Sequence, residues 1–389
     1  MTEFFSIQGG VCAPKGFFAD GLNCGLRTGD QGDLAFIRSE NPCDVAAVFT
    51  ANRFQAAPLL HAQRVLGQKS QGIIINAKNA NAMTGDAGVE AVYGVLKNVP
   101  FENPLMSSTG VIGVPLPVEK IAAGIKRFDW NAKNPDNAAK AIMTTDRWDK
   151  QIAFEVKTAN GTFRIGAMAK GAGMIAPQLA TMLCFVTTDA AVPKAALQQH
   201  LQNCMDDSFN AISVDGDMST NDTVFVFANG QSGVYEAEAF EAVLKRALHY
   251  LALEMARDGE GAKKLVAFEV KNAASKAEAQ KAAKMLSNSL LVKTALFGED
   301  PNWGRLAATI GAAQVTCDAK TLVIQIGNVV VYDRGVNCMD KPTEEKAAKV
   351  LKEESFRIIC DLGVGDEGYT AYGCDLGYEY VKINADYRT

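Results

Sequence analysis

Short apolar runs alternate with longer amphipathic stretches along most of this chain. Runs such as GIIIN at 72–76 and VFVFA at 224–228 are flanked by polar residues, which is typical of buried strands. Between such runs apolar residues recur every three or four positions, as at 236–258, and this spacing predicts helices. The pattern therefore predicts strands and helices in alternation.

Two asparagine–glycine turn signals divide apolar runs into hairpins. Asn160-Gly161 separates the runs 152–156 and 163–168, and Gly327-Asn328 separates 322–326 from 329–332. We predict further strands at 182–187, 265–270, 290–297, 356–362 and 369–383, and further helices at 86–97, 194–204, 276–286, 303–313 and 344–354.

Helices placed between hairpins favour mixed or antiparallel sheets that are covered by helices. The predicted fold class is therefore α/β of the α+β type, and not a regular doubly wound parallel sheet. A chain of 389 residues can hold more than one domain. We place a boundary near Ala273, between a main catalytic body at 1–272 and a smaller C-terminal domain at 273–389.

Composition narrows the classes of function. A hydrophobic content of 48% and a charged content of 21% are ordinary for a globular protein, and a net charge of −5 excludes a broadly basic nucleic-acid surface. No apolar run approaches the ~20 residues of a membrane-spanning helix. The first residues show neither a basic start nor an apolar signal core. We therefore expect a cytoplasmic protein that binds neither nucleic acid nor membrane.

Cysteines and acidic residues give no metal signal. The nine cysteines are scattered and never spaced as C-x-x-C, so we expect reduced, buried thiols and interpret Cys184 as a packing residue. The sequence DGDMSTND at 215–222 fails the calcium-loop pattern, because Thr220 stands where glycine is needed and Val226 where glutamate is needed. We predict turns at this position and no metal site.

Histidine is too scarce for several common mechanisms. The sequence contains only His61, His200 and His249, and the last two fall on predicted helices far from any glycine-rich turn. No G-x-S-x-G motif precedes a helix. These observations disfavour a Ser-His-Asp hydrolase and a histidine metal site. A nucleophile that needs no histidine fits the sequence better.

The segment KGAGMIAPQLATMLCFVTTDA at 170–190 contains a candidate of that kind. A loop rich in glycine and proline leads to Ala180 and Thr181, and an apolar run follows. One interpretation is an ordinary strand that begins at threonine. The other is that the chain cuts itself between Ala180 and Thr181, so that Thr181 becomes an N-terminal nucleophile. Its own amine, with an ordinary pKa near ~8, would then act as the base.

A set of motifs along the chain resembles one known family. The segment at 170–190 resembles the self-cleavage site of the ornithine acetyltransferase family, also called the glutamate N-acetyltransferase or ArgJ family. Other blocks resemble that family in the same order: GGVCAPKGF at 9–17, SSTGVIGVPLP at 107–117, AIMTTD at 141–146, SVDGDMSTNDTV at 213–224, KTALFGEDPNWGR at 293–305 and INADYRT at 383–389. The resemblance implies a layered helix–sheet–sheet–helix fold of the N-terminal-nucleophile type.

The resemblance also implies roles in catalysis. Thr181 would be the nucleophile after cleavage at Ala180–Thr181, and Thr109 with Gly110 would form an oxyanion hole. A glycine-rich turn alone also accounts for SSTGVIG. A backbone N–H and a hydroxyl are suitable donors to a developing oxyanion, so both interpretations remain open at this stage.

The substrate contacts that the resemblance implies also have plainer alternatives. Lys170 would hold a substrate carboxylate, although most lysines are simply solvated. Thr144 could equally be a turn hydroxyl. Glu260, which we place in a tight exposed turn at a helix end, would face the cationic side chain of ornithine. The implied substrate-binding set is Thr144, Lys170, Thr181, Glu260, Asn384 and Thr389, the last with its terminal carboxylate.

The reaction implied is ping-pong acetyl transfer from N²-acetylornithine to glutamate through acetyl-Thr181, in arginine biosynthesis. The implied assembly contains two fragments 1–180 and two fragments 181–389. No cofactor is required; some family members also accept acetyl-CoA as a co-substrate, and no residue of this sequence decides that point. Two alternatives stay open, an amidase or aminopeptidase with the same nucleophile and a non-catalytic amino-acid-binding protein.

Overall fold

A computed structural model describes residues 3–176 and 182–386 of the protein. The strands in these residues are β1 (Glu3–Ser6), β2 (Phe17–Leu22), β3 (Leu34–Phe49), β4 (Ser70–Asn76), β5 (Leu105–Ser108), β6 (Lys150–Thr158), β7 (Gly161–Lys170), β8 (Leu183–Thr188), β9 (Thr223–Ala228), β10 (Leu265–Ala273), β11 (Val323–Ile326), β12 (Val329–Asp333), β13 (Val336–Asn337), β14 (Ser355–Asp361) and β15 (Glu367–Cys374).

The α-helices of the described residues lie mostly between these strands. They are α1 (Ala57–Val65), α2 (Gly85–Leu96), α3 (Val118–Ile125), α4 (Pro135–Ala141), α5 (Lys194–Met205), α6 (Ala237–Arg257), α7 (Lys276–Asn288), α8 (Leu290–Phe297), α9 (Trp303–Ala312), α10 (Lys341–Leu351) and α11 (Tyr378–Asp386).

The larger sheet has the strand order β1-β6-β7-β8-β9-β3-β4-β5, with β2 also paired to β3. Strand β3 belongs to both halves of this sheet. Its first residues pair with β2 and β4, and its last residues pair with β9. The strand pairs β8–β9 and β4–β5 are parallel, whereas most of the others are antiparallel, so the sheet is mixed.

Alternation along the strands builds a layered body. Val224 and Val226 of β9 pack with α5 and α6 in one core, whereas Phe225 and Phe227 face β3 and β4 in a second core. On the far side, Ile74 of β4 packs with α2 and α3 in a third core. Because successive strand residues point to opposite faces, one strand serves two layers. The order is therefore helix, sheet, sheet, helix, as the family resemblance implies.

A second mixed sheet has the strand order β13-β12-β11-β14-β10-β15. Apolar residues of β10, β11, β14 and β15 form a separate core with α7, α9 and α10. The domain boundary near Ala273 stays a prediction. Strand β10, which ends at that residue and so precedes the boundary, belongs to the second sheet.

Two predicted strands are wrong. The run 290–297 is helix α8, because the Ser289 side chain accepts a hydrogen bond from Val292 N and caps it. Leu290 is 65% exposed there, so the apolar run is not a buried strand. The predicted strand at 369–383 ends with β15 at Cys374, and the rest is helix α11. The other predicted strands and helices are present with small shifts at their ends. The strands β1, β2, β3, β5 and β13 and the helices α1, α3 and α4 were not predicted.

The cysteines are all free thiols, and five of the nine are buried, including Cys184 in β8. Burial raises the pKa of the Cys184 thiol, which fits the packing role predicted for it. Cys317 is exposed, contrary to the expectation that the thiols are buried, because it lies in a surface loop after α9. Within residues 3–176 and 182–386, no helix has both the length and the hydrophobicity needed to cross a bilayer.

Candidate active site

One pocket brings together residues from distant parts of the chain. It lies where the ends of β5 and β7 meet the loop after α4, the loop after α6, the loop before β9 and helix α11. Every predicted site residue that the structure describes lines it. Ala180, Thr181 and Thr389 lie outside the described residues. The lining consists of Thr109, Gly110, Ile112, Thr144, Thr145, Lys170, Gly173, Met174, Asp215, Asp217, Ser219, Thr220, Asn221, Glu260, Tyr380 and Asn384.

Thr109 and Gly110 follow directly on β5, a buried strand parallel to β4. The N–H of Thr109 donates to the carbonyl oxygen of Asn76 at 3.0 Å, which fixes the turn to the end of β4. Gly110 has φ +131°, and a Cβ on it would stand 2.2 Å from the carbonyl carbon of Lys78. The glycine is therefore required by close backbone approach, whatever its catalytic role. Substitution of Gly110 by alanine would shift the backbone and cannot test the oxyanion hole.

Thr109→Val is the sharper test of the oxyanion hole, because valine keeps the shape and removes only the hydroxyl. We expect the turnover number to fall by ~10²–10³ with little change in melting temperature. Thr144→Val is the matched control, since it removes a neighbouring pocket hydroxyl and should mainly raise KM. Steady-state kinetics on both variants measures the difference. An unchanged turnover number in Thr109→Val would contradict the oxyanion assignment.

Lys170 ends β7 and is only 3% exposed, so it is not a solvated loop lysine. Its Nζ donates to Thr144 Oγ1 at 2.7 Å and to Thr109 Oγ1 at 3.4 Å, which joins three of the predicted site residues. Burial lowers the pKa of the Lys170 ammonium, and the nearby Asp146 carboxylate opposes that shift. A bound carboxylate would favour the charged form further. Lys170 therefore makes one end of the pocket attractive to anions.

Asp146 fixes this end of the pocket from behind. One carboxylate oxygen accepts hydrogen bonds from Lys150 Nζ at 2.9 Å and from Gly171 N at 2.7 Å, and the other accepts from Thr144 N at 3.0 Å. Burial alone would raise the pKa of Asp146. The charges of Lys170 and Lys150, with the Gly171 N–H, overcome burial and lower it to about 2. Asp146 thus orients both Thr144 and the residue after Lys170.

Glu260 is buried, so the prediction that it lies in an exposed turn is wrong. It is only 8% exposed, because its carboxylate points inward against Gly173. A Cβ on Gly173 would stand 2.4 Å from the Glu260 carboxyl carbon, so glycine is needed for this approach. Asn384 Nδ2 donates to Glu260 Oε2 at 2.6 Å. Helix α11 therefore reaches the site and holds the Glu260 carboxylate there.

The pocket thus contains groups of both charges. Lys170 supplies a cation, and Glu260, Asp215 and Asp217 supply carboxylates. A ligand with a carboxylate at one end and a cationic group at the other matches these charges in a site of low dielectric. An α-amino acid with a basic side chain is a ligand of this kind.

Comparison with known proteins decides the family. The ArgJ family model matches residues 18–389. The chain is 57% identical over 397 aligned positions to the arginine biosynthesis bifunctional protein ArgJ of Wolinella succinogenes, and the match covers 100% of both proteins. The chain belongs to the ArgJ family.

Two further similarities agree with the ArgJ assignment. The glutamate N-acetyltransferase of Methanocaldococcus jannaschii is 43% identical over 98% of this chain and 99% of that protein. A crystal structure of the ArgJ protein of Bacillus halodurans has 40% identity and a TM-score of 0.50, and covers 52% of this chain and 98% of the crystallised chain. The predicted family and the predicted mixed α/β fold class are therefore confirmed.

The ArgJ-type pocket has no histidine among its described lining residues. His200 contacts Glu241 and Tyr235, and His249 contacts the carbonyl oxygen of Asp207, and these residues do not line the pocket. No group of acidic, histidine or cysteine side chains suited to a metal ion occurs within 3–176 and 182–386. The described residues therefore offer hydroxyl, lysine and carboxylate chemistry.

Several polar residues of this ArgJ site were not predicted from the sequence, among them Asp215, Asp146, Lys150 and Tyr380. Asp215 was interpreted as part of a turn, and it does accept the N–H of Asp217 at 3.2 Å, but its carboxylate also lines the pocket. Asp146, Lys150 and Tyr380 were not singled out. Aspartate and lysine are usually exposed, so a buried ion pair leaves no hydrophobic pattern to detect. The SVDGDMSTND block itself was the available signal, since it is too polar for a simple link between buried elements.

Proposed function

We propose that the protein is a self-cleaving acetyltransferase that moves the acetyl group of N²-acetylornithine to glutamate through an acetyl-threonine intermediate. Membership of the ArgJ family makes the chain a glutamate N-acetyltransferase of arginine biosynthesis. The mechanism and the residue roles are our proposal. The observation that carries them is a pocket, without histidine among its described lining residues, in which Lys170 contacts the Thr109 hydroxyl and Glu260 supplies a carboxylate.

The cleavage step uses the hydroxyl of Thr181. Its oxygen attacks the carbonyl carbon of Ala180, the peptide C–N bond breaks, and the hydroxyl proton passes to the departing amine. Water then hydrolyses the ester, which leaves a carboxylate on Ala180 and restores the hydroxyl of Thr181. Nearly all of the crystallised Bacillus halodurans chain matches only about half of this chain. This coverage supports a two-fragment product.

Acetyl transfer repeats the same chemistry with a free substrate. The Thr181 amine takes the hydroxyl proton while the oxygen attacks the acetyl carbon of N²-acetylornithine. Thr109 and Gly110 donate to the oxyanion, and ornithine leaves with the proton. The amine of glutamate then attacks acetyl-Thr181 and releases N-acetylglutamate. Lys170 holds the α-carboxylate of the donor, and Glu260 faces its side-chain ammonium group.

Other residues of the pocket position the charged groups or contact the substrate. Thr144 positions Lys170 through their hydrogen bond, and Asn384 positions Glu260. Thr389, with its terminal carboxylate, is proposed as a further substrate contact. We also propose that two copies of each fragment assemble. The structure favours no residue for acetyl-CoA, so the proposal is limited to N²-acetylornithine and glutamate.

Glutamate dependence tests transfer against hydrolysis. Incubation with N²-acetylornithine alone should release at most one ornithine per active site, because the acetyl group then stays on Thr181. Added glutamate should produce ornithine and N-acetylglutamate in equal amounts, as chromatography can quantify. Continuous ornithine release without glutamate would instead favour an amidase that discharges the acetyl-threonine to water.

Intact mass spectrometry of the purified protein tests the non-catalytic alternative. The proposed enzyme should give two fragments, of which one begins at Thr181. A single uncut chain with the mass of 41.6 kDa and no acetyl transfer would favour a protein that only binds amino acids.

A further inference from the structure

The loop 213–223, which leads into β9, holds the chain just before the proposed cleavage segment. Asp215 accepts a hydrogen bond from this part of the chain on each oxygen, from Met174 N at 2.6 Å and from Ile175 N at 2.8 Å, besides the one from Asp217 N in its own loop. The carbonyl oxygen of Ile175 in turn accepts from Val214 N at 2.9 Å and from Ser213 Oγ at 3.1 Å. Both polar groups of the Ile175 backbone are therefore fixed by this one loop.

The same loop holds the chain just after that segment. Met182 N donates to Asp222 Oδ1 at 2.9 Å, and the carbonyl oxygen of Met182 accepts from Thr223 N at 3.0 Å. The same number of residues separates Asp215 from Asp222 as separates Ile175 from Met182. The stretch from Asp215 to Asp222 is thus as long as the stretch from Ile175 to Met182, and a carboxylate of the first binds each end of the second.

We infer that Asp215 and Asp222 are positioning residues for self-cleavage, which together fix the two ends of the segment that contains the Ala180–Thr181 bond. This inference rests on the proposed function. Fixed ends reduce the conformations open to a short segment, so less entropy is lost when a hydroxyl meets the carbonyl of the residue before it. Both carboxylates act on the backbone of the flanking residues and are not themselves reacting groups.

Burial makes these two anchors strong. Asp222 is fully buried, and its Oδ2 has no hydrogen-bond partner among residues 3–176 and 182–386. Burial raises the pKa of both Asp222 and Asp215, and the backbone N–H donors oppose that shift. The hydroxyl of Tyr380 also donates to Asp215 Oδ2 at 3.2 Å, so helix α11 is tied to the same anchor. Hydrogen bonds in such surroundings are costly to lose.

Asp215→Asn tests the first anchor. Asp215 uses both oxygens as acceptors, so the amide of asparagine would set an N–H donor against a backbone N–H and break one bond. We expect cleavage at least tenfold slower than in the unaltered chain, since a shift of ~1 Å at a reacting centre can cost ~10²-fold. The full chain is made by cell-free synthesis, and denatured aliquots are analysed by intact mass over time.

Asp189→Asn is a matched control from outside the pocket. Asp189 is buried and also accepts one backbone N–H on each oxygen, from Lys15 at 2.9 Å and from Arg164 at 2.7 Å. The control should lose a similar amount of thermal stability and still cut at the normal rate. Equal slowing in both variants, or normal cutting in Asp215→Asn, would overturn the inference. Failure of the unaltered chain to cut would instead overturn the proposed function.

The second anchor is tested by two substitutions. Asp222→Asn can keep a side-chain oxygen that accepts the hydrogen bond from Met182 N, whereas Asp222→Leu removes every acceptor. The leucine variant should therefore cleave at least tenfold more slowly than the asparagine variant. Equal rates would contradict the role of Asp222. If the charge-changing variants do not fold, Ser213→Ala replaces them, because it removes a hydrogen bond to the Ile175 carbonyl without removing a charge. It should also slow cutting, and a normal rate there would count against the inference.

Discussion

Thr181→Ala should leave the chain uncut and without acetyltransferase activity. Both reactions use the same hydroxyl, so neither has a nucleophile once it is removed. Loss of a catalytic nucleophile typically costs ~10⁴–10⁶ in turnover number. Intact mass spectrometry would show one full-length chain, and an assay of ornithine release would show no transfer above background.

Thr181→Ser is the control for this prediction. Serine keeps the hydroxyl and loses only the methyl group, so part of the cleavage and part of the transfer should remain. The comparison separates loss of the nucleophile from a general effect of substitution at this position. An uncut Thr181→Ala protein that transfers acetyl groups at the normal rate would show that the nucleophile lies elsewhere.

Lys150→Met should strongly destabilise the fold. Lys150 is fully buried, and its Nζ lies 2.9 Å from Asp146 Oδ1 and 2.6 Å from Asp258 Oδ2. Methionine would leave two buried carboxylates without their shared cation, although Arg147 still reaches Asp258. Breaking a buried ion pair from one side costs about 3–5 kcal/mol. Denaturant unfolding should therefore show a clearly lower midpoint than in the unaltered protein.

Lys157→Met on the same strand is the matched control. Lys157 is exposed, and its ammonium lies 4.8 Å from the centre of the Phe5 ring, so its loss should cost at most about 1 kcal/mol. Equal destabilisation by the two substitutions would contradict the importance of the buried network.

The pH dependence gives a second readout of this network. The pKa of Asp146 is lowered to about 2 in the folded protein, so its contribution to stability is present above the ordinary carboxyl pKa of ~4 and is lost as pH falls towards 2. Lys150→Met removes one of the charges that hold this pKa down. The loss of stability between pH ~4 and ~2 that is due to Asp146 should therefore be smaller in the variant than in the unaltered protein, as urea unfolding at several pH values would show.

The sequence predicted the strands β6 to β9 and most of the second sheet, because short apolar runs flanked by polar residues leave a clear pattern. It did not predict β2, β3 or β5, so most of the other half of the larger sheet was missed. Failures occurred where local signals conflict. The apolar run LLVKTALF is compatible with a short strand and with a short helix. It forms helix α8, whose first turn is capped by the Ser289 side chain. The tail after Cys374 was taken as strand, yet it turns at Asp375, which accepts hydrogen bonds from Lys263 N and Lys264 N, and continues as α11.

The site residues were predicted from motifs that resemble a known family, and not from the pattern of hydrophobic and polar residues. Thr109, Lys170 and Glu260 are far apart in sequence. The order of strands between β7 and β5, together with the loop after α6, brings them to one pocket. Their burial was not predictable, because lysine and glutamate usually remain in solvent. The anchors Asp215 and Asp222 were also missed. Each carboxylate accepts a backbone N–H from a residue 40 or 41 positions away, and such a contact leaves no trace in the sequence.

The strand order of the larger sheet has a consequence for the cut protein. Strands β8 and β9 follow the proposed cleavage site, yet they lie between β7 and β3, which precede it. Cleavage would therefore divide the polypeptide without dividing the sheet, and each product would lack strands that the other supplies. The two fragments would form an interlocked pair that purifies together and comes apart only under denaturing conditions.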